Sequence, residues 1–389
     1  MSEYDPFIPY GRQTITESDI EDVVNILRTD YLTQGPTVNE FESAVALRSS
    51  ARFGVAVNSA TSALHIACLA LGLGPGDRLW TSPTTFVASA NCALYCGADV
   101  DFVDIDPSSG LMCVNALEHK LKLAELNNTL PKVLVPVHLC GSSCEMSTIF
   151  ELSQRYGFFI LEDASHAVGG SYFGNPVGSC SYSSITVFSF HPVKIITTGE
   201  GGLATTNDPY LAQRMSDLRS HGITKDSTRF VNPVPGPWSY EQQFLGFNYR
   251  MTDFQAALGL SQLKRLNSIV HERNSLFNCY QRLFSDLPVT LLDVPSGVIS
   301  SHHLAVIRLD DPSPKYHRYV FESLRDLRIG VQVHYSPVHL QPYYRKLGFT
   351  DGDFPEAENY GTNAISLPLY PGLQVHHQER VFEALKNTL

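Results

Sequence analysis

The sequence predicts an α/β protein: a mostly parallel sheet sandwiched by helices, followed by a smaller α/β region. Two observations carry this. From residue 53 to 206, short β-branched apolar runs alternate with helical stretches, and parallel neighbours need such crossover helices. The chain has 389 residues, too many for one simple domain. The expected division is a large domain with an N-terminal arm at 1–254 and a smaller domain at 255–389.

The first expected strand, 53–58 (FGVAVN), runs into Ser59-Ala60-Thr61-Ser62 and then a helix with Ala63, Leu64, Ala67, Cys68 and Leu71 on one face. Glycines and a proline in 72–77 end that helix. Further strands are expected at 78–82, 100–103, 132–138, 158–162, 184–190 and 203–206, with helices at 91–95 and 148–156. Residues 222–246 read as an irregular loop marked by Pro233, Pro235, Gly236 and Pro237. Long loops of this kind tend to be functional or interfacial. Beyond it, 252–270 reads as strongly helical, with strands at 304–309 and 330–335.

Hydrophobic residues make up 43% of the chain and charged ones 17%, an ordinary globular balance. The formal net charge of −11 argues against nucleic acid, whose binding needs surplus positive charge. The N-terminus lacks a basic stretch followed by an apolar one, so no secretory signal is expected. The longest nearly apolar run, 63–73, contains His65 and is too short to span a bilayer. The eight cysteines are scattered. Cys92/Cys96 and Cys140/Cys144 have C-x3-C spacing, but no matching C-x2-C pair follows. Reduced core thiols of a cytoplasmic protein are expected, and no metal.

The sequence has no G-x-G-x-x-G after a strand, no P-loop, no H-E-x-x-H and no G-x-S-x-G, which weighs against nicotinamide oxidoreductases, P-loop kinases and serine hydrolases. Ligands of parallel sheets sit beyond the carboxyl ends of the strands. There, residues 59–62 offer helix N-terminal N–H groups and hydroxyls, either as a phosphate cup or as a simple cap. Asp163 ends the apolar run FILED. It can cap the next element or pair with a cationic ring nitrogen. Lysines number 9 against 19 arginines, and Lys194 alone lies between Lys132 and Lys225. A lysine at the mouth of an apolar sheet can have a lowered pKa and form a Schiff base; the ordinary alternative is a solvated surface group. Phosphate cup, ring-nitrogen carboxylate and Schiff-base lysine together are what pyridoxal 5'-phosphate (PLP) requires.

Over nearly its full length the chain resembles the DegT-type sugar aminotransferases, a fold-type I PLP-dependent family. The matching stretches are LTQGP (32–36), NSATSALHIA (58–67), EDASHAVGG (162–170), SFHPVKIITTGEGG (189–202), GFNYRMTDFQAALGLSQL (246–263) and SLPLYPGL (366–373). PYGRQ near the start, HPVKIITTGEGG and PWSYEQQFLG (237–246) are similar to the branch acting on the pseudaminic acid pathway. That branch transfers an amino group from L-glutamate to C4 of a UDP-linked 4-keto-6-deoxy-N-acetyl-hexosamine, giving UDP-4-amino-4,6-dideoxy-N-acetyl-β-L-altrosamine. The resemblance implies that Lys194 holds PLP covalently and that Asp163 faces the ring nitrogen. It implies phosphate contacts from Ala60, Thr61 and Ser189, ring stacking by Phe86, and His166 beside the ring. Asn248 is expected to reach the phosphate of the other subunit's cofactor, which implies a homodimer with shared sites. Tyr10, Tyr31, Leu32, Thr33, Gln34 and the turn His334-Tyr335-Ser336-Pro337 match segments that line the sugar-nucleotide pocket. Arg12, His221, Arg229 or Arg250 are candidates for a cationic patch at the diphosphate. Sugar dehydratases of the family carry His in place of the Schiff-base lysine, so Lys194 argues against that activity. Another nucleotide-linked keto sugar, or a PLP- or sugar-binding sensor without turnover, are the alternative readings.

Overall fold

The computed structural model describes residues 6–311 and 313–389. All the strands expected between 53 and 206 form and join in one sheet. Its order is Phe53–Val57, Gly202–Thr206, Ile185–Ser189, Phe159–Asp163, Val133–Val135, Arg78–Thr81 and Asp99–Phe102. Gly202–Thr206 runs antiparallel to both neighbours, and the other pairings are parallel. Helices cover both faces, so central positions such as Leu134, Leu161 and Val187 are fully buried. The helix Ala60–Ala70 is buried nearly all round, which explains its almost uninterrupted apolar sequence.

The C-terminal region has its own three-stranded antiparallel sheet, Val289–Leu291, Ala305–Leu309 and Ala364–Leu367. Tyr280, Val320, Leu324, Val381 and Leu385 from three helices pack against it in one apolar cluster. Ile8 belongs to the same cluster. The Gly330 N–H donates to the Ile8 carbonyl at 2.7 Å, and the Ile8 N–H donates to that of Arg328 at 3.0 Å. The N-terminal arm is thus strapped across the C-terminal core. Residue 255, the expected division point, lies inside the helix Asp253–Leu263, which packs on Glu17–Leu27 and Pro36–Arg48.

Three expectations are corrected. The helical stretch 252–270 breaks at Lys264 and Arg265 into Asp253–Leu263 and Leu266–Leu283. Residues 330–335 form no strand: Gln332 makes a single bridge to Ser366, and the chain then turns His334 and Tyr335 into the main cavity. The 222–246 loop contains a short antiparallel pair, Ile223–Thr224 with Glu241–Gln242. The Glu241 carboxylate accepts the Val231 and Asn232 amides, closing the excursion between them.

Candidate active site

A cavity of about 640 Å³ opens at the carboxyl ends of the central strands. Its floor is Asp163, the last residue of Phe159–Asp163. Asp163 Oδ2 accepts the Ser89 hydroxyl at 2.6 Å, and Oδ1 accepts the Ser165 amide at 3.0 Å. Thr85 lies 2.8 Å from the Ser89 oxygen. Because a carboxylate only accepts, the Ser89 proton goes to Asp163 and Thr85 donates to Ser89. Successive strand residues point to opposite faces, so Glu162 lies behind the site. There its carboxylate meets His138 Nε2 at 2.6 Å and the Thr186 hydroxyl at 2.8 Å. Burial pushes the Glu162 pKa up, but these partners and Ser183 outweigh it and hold the group below the usual carboxylate range. Both flanks of the strand end are therefore anchored.

One wall is the N-terminus of Ala60–Ala70. Ser59 is its N-cap, accepting the Ser62 amide at 3.1 Å, while Ala60 and Thr61 line the cavity. Capping leaves room for an anion, because a helix start presents several N–H groups without intrahelical partners. Gly202 lies behind this turn; a Cβ there would stand 2.5 Å from the Ala60 nitrogen. Only glycine lets the antiparallel strand come this close to the helix N-terminus.

Lys194 follows the strand Ile185–Ser189 and lines the cavity with Ser189. Burial lowers its pKa from the ordinary 10.5 to about 8, against the opposing pull of Asp163. Two of the histidines around it, His334 and His166, are shifted toward the neutral form. Burial, then Lys194, lowers His334 to about 4. Burial, Lys194 and His334 hold His166 well below the usual range. Phe86 is exposed at the cavity mouth, its ring 6.4 Å from that of Tyr335. Among the described residues, Lys194 is the only lysine or arginine on this cavity.

The structure therefore brings Ala60, Thr61, Phe86, Asp163, His166, Ser189, Lys194, His334 and Tyr335 together. Tyr10 stands beside this group, its ring 5.5 Å from that of His334. Ser336 and Pro337 follow Tyr335 but are not on the cavity wall; Pro337 packs under Gly361. Tyr31, Leu32, Thr33 and Gln34 lie elsewhere on the chain's surface, tied to the next segment by a Thr33–Thr252 bridge. Asn248 pairs with Ser220 and is also off this cavity. The expected cationic patch does not form within one chain. Arg229 is held by Asp217, Arg12 lies over the Tyr370 ring, and neither these nor His221 and Arg250 line the cavity. Residues not anticipated from sequence are Ser89, His191, Glu200 and His303. Ser89 lies three positions after Phe86, where a helical turn places it under the same pocket. The His302-His303 doublet was the only signal for His303.

The DegT/DnrJ/EryC1/StrS aminotransferase family matches residues 13–386. The chain belongs to that family. It is 39% identical over 385 residues to the spore coat polysaccharide biosynthesis protein SpsC of Bacillus subtilis, covering 98% of this chain and 97% of SpsC. Among solved structures, Spr1654 of Streptococcus pneumoniae in its PLP form superposes with a TM-score of 0.89 at 30% identity, with 98% of each chain covered. PseC of Helicobacter pylori, an aminotransferase involved in the biosynthesis of pseudoaminic acid, gives a TM-score of 0.89 at 31% identity, covering 98% of this chain and 99% of PseC. The protein is a fold-type I, PLP-dependent sugar aminotransferase. Its own residues fit the cofactor: a helix N-terminus for a phosphate, a doubly anchored carboxylate and a low-pKa lysine line one cavity.

Proposed function

We propose that this aminotransferase transfers the amino group of L-glutamate to C4 of a UDP-linked 4-keto-6-deoxy-N-acetyl-hexosamine on a pseudaminic acid pathway, in the cytoplasm. The observation that carries the amino-transfer chemistry is Lys194, half-buried in the cavity wall, its pKa lowered by desolvation to about 8 beside Asp163. In this reading Lys194 binds PLP covalently and Asp163 holds the proton on the ring nitrogen. Bound PLP supplies an electron sink for loss of the substrate α-proton. Once the substrate amine has displaced it, the freed Lys194 Nζ would take that proton and return it. Ala60, Thr61 and Ser189 hold the phosphate, Phe86 covers the ring, and His166 sits beside it. The sugar choice is supported by the likeness to PseC.

A shared site in a homodimer is part of the same proposal. Two anionic substrates need cations, yet among the described residues one chain's cavity offers Lys194 as its one lysine or arginine. Asn248 and residues 31–34 are exposed on the surface, where a second copy can meet them, and Val231, Trp238 and Leu245 expose apolar surface in the segment before Asn248. A different nucleotide-linked keto sugar is the second reading: the identity to SpsC, a spore coat polysaccharide biosynthesis protein, is 39%, against 31% to PseC. Incubating the enzyme with glutamate and, in separate reactions, the L- and the D-configured UDP-linked 4-keto sugar, with NMR of the product, decides between them. The L-altro amine is expected; turnover of only another keto sugar overturns the assignment. Lys194→Ala is expected to abolish multiple turnover.

A further inference from the structure

We propose that Tyr335 is a dedicated hydrogen-bond donor to the oxo oxygen of the substrate, with His166 as the positioning residue that aims its proton into the cavity. The Cys140 amide can only donate, and it meets His166 Nδ1 at 3.3 Å, so that nitrogen carries no proton. In neutral imidazole the proton then sits on Nε2, which lies 3.2 Å from the Tyr335 hydroxyl. The bond runs from His166 to Tyr335, and the phenol's own proton is left for the cavity that Tyr335 shares with Lys194.

The surroundings keep His166 in that state. Its ring lies 4.4 Å from that of His303, a buried histidine whose Nδ1 has no hydrogen-bond partner among the described residues. Its carbonyl accepts the Ser301 hydroxyl at 2.9 Å, fixing the backbone. Burial first, then His166 and Lys194, holds His303 well below the usual histidine range, so the pair stays uncharged. Burial likewise raises the Tyr335 pKa, which keeps it a phenol. His334 is occupied elsewhere, its Nδ1 lying 2.8 Å from the Ser366 hydroxyl.

Transamination presents one such acceptor in both half-reactions, the oxo oxygen on the reacting carbon; the amino form presents a donor there instead. A phenol already accepting from His166 suits the oxo form. The inference rests on the function proposed above for its probes. Wild-type turnover of glutamate tests that function, whereas the comparison among variants tests the role of Tyr335.

In the holoenzyme, Tyr335→Phe is expected to raise the apparent dissociation constant for 2-oxoglutarate about tenfold and that for glutamate less than about twofold, measured in single-turnover half-reactions. Equal losses for both would overturn the proposal by placing the donor on a carboxylate. His166→Gln can still accept from Cys140 and donate to Tyr335. The nearly isosteric His166→Glu can only accept, and so draws the phenol proton onto itself. A kcat/KM gap of about tenfold between these two variants is expected, closing in a Tyr335→Phe background. A gap that persists there overturns the proposal, as does isotope-labelled histidine NMR placing the His166 proton on Nδ1.

Discussion

Lys194 shows how little a residue's identity says without its surroundings. Its isolation among lysines drew attention, but solvated and buried lysines read alike in sequence; burial is what sets its pKa near 8. The sign of the resulting pH dependence follows. In the unfolded chain the group keeps a proton up to about 10.5, whereas in the folded chain it loses it near 8. Between those values the unfolded state binds more protons, so folding stability of the PLP-free protein rises with pH across that window. Lys194→Met is expected to flatten the rise, read as thermal midpoints of both PLP-free proteins from about pH 7 to 10.5. An unchanged slope would place the titrating group elsewhere. Asp163 was legible from the end of an apolar strand, but Ser89 was not, because the contact spans 74 positions of sequence.

At the scale of elements, the strand-to-helix turn at 57–62 and the glycine strand behind it act as one unit. The N-cap and the apolar helix are written locally, since capping and periodicity span only a few residues. The close approach of Gly202 is not local, because it joins segments far apart in the chain. Gly202→Ala is expected to cost about 1–3 kcal/mol by overpacking, read as a lower urea midpoint, and to weaken PLP binding in a titration. Wild-type PLP affinity in that variant would separate the phosphate contact from this turn. The 330–335 segment reads as a strand from its alternation, yet tertiary contacts override propensity there. His334 and Tyr335 are held inward by Ser366 and His166, and the Tyr360 hydroxyl donates to the His334 carbonyl at 2.9 Å.

At the scale of the molecule, the N-terminal arm connects the two cores. Ile8 is almost fully buried in the C-terminal cluster, so Ile8→Ala is expected to cost about 2–4 kcal/mol, measured by urea unfolding. A change within experimental error would mean that the arm lies loosely on the core. The proposed shared site makes a second prediction. In a mixture of Lys194→Ala and Asn248→Ala proteins, refolded together in equal amounts, heterodimers carry one fully native site. About a quarter of wild-type activity should return from two inactive parents. No recovery from a mixture shown to contain heterodimers would argue for a site completed within one chain.

The sequence by itself determined the strands of the large sheet, the strand-to-helix turn at 57–62, the Asp163 and Lys194 positions and the family, because each is written in contiguous residues by periodicity, capping or motif. Tertiary structure alone decided that Ser89 anchors Asp163, that His166 faces Tyr335, and that Arg229 is already committed to Asp217. It also decided the lowered pKa of Lys194, His166 and His334, since desolvation depends on which atoms from distant segments exclude water from a group.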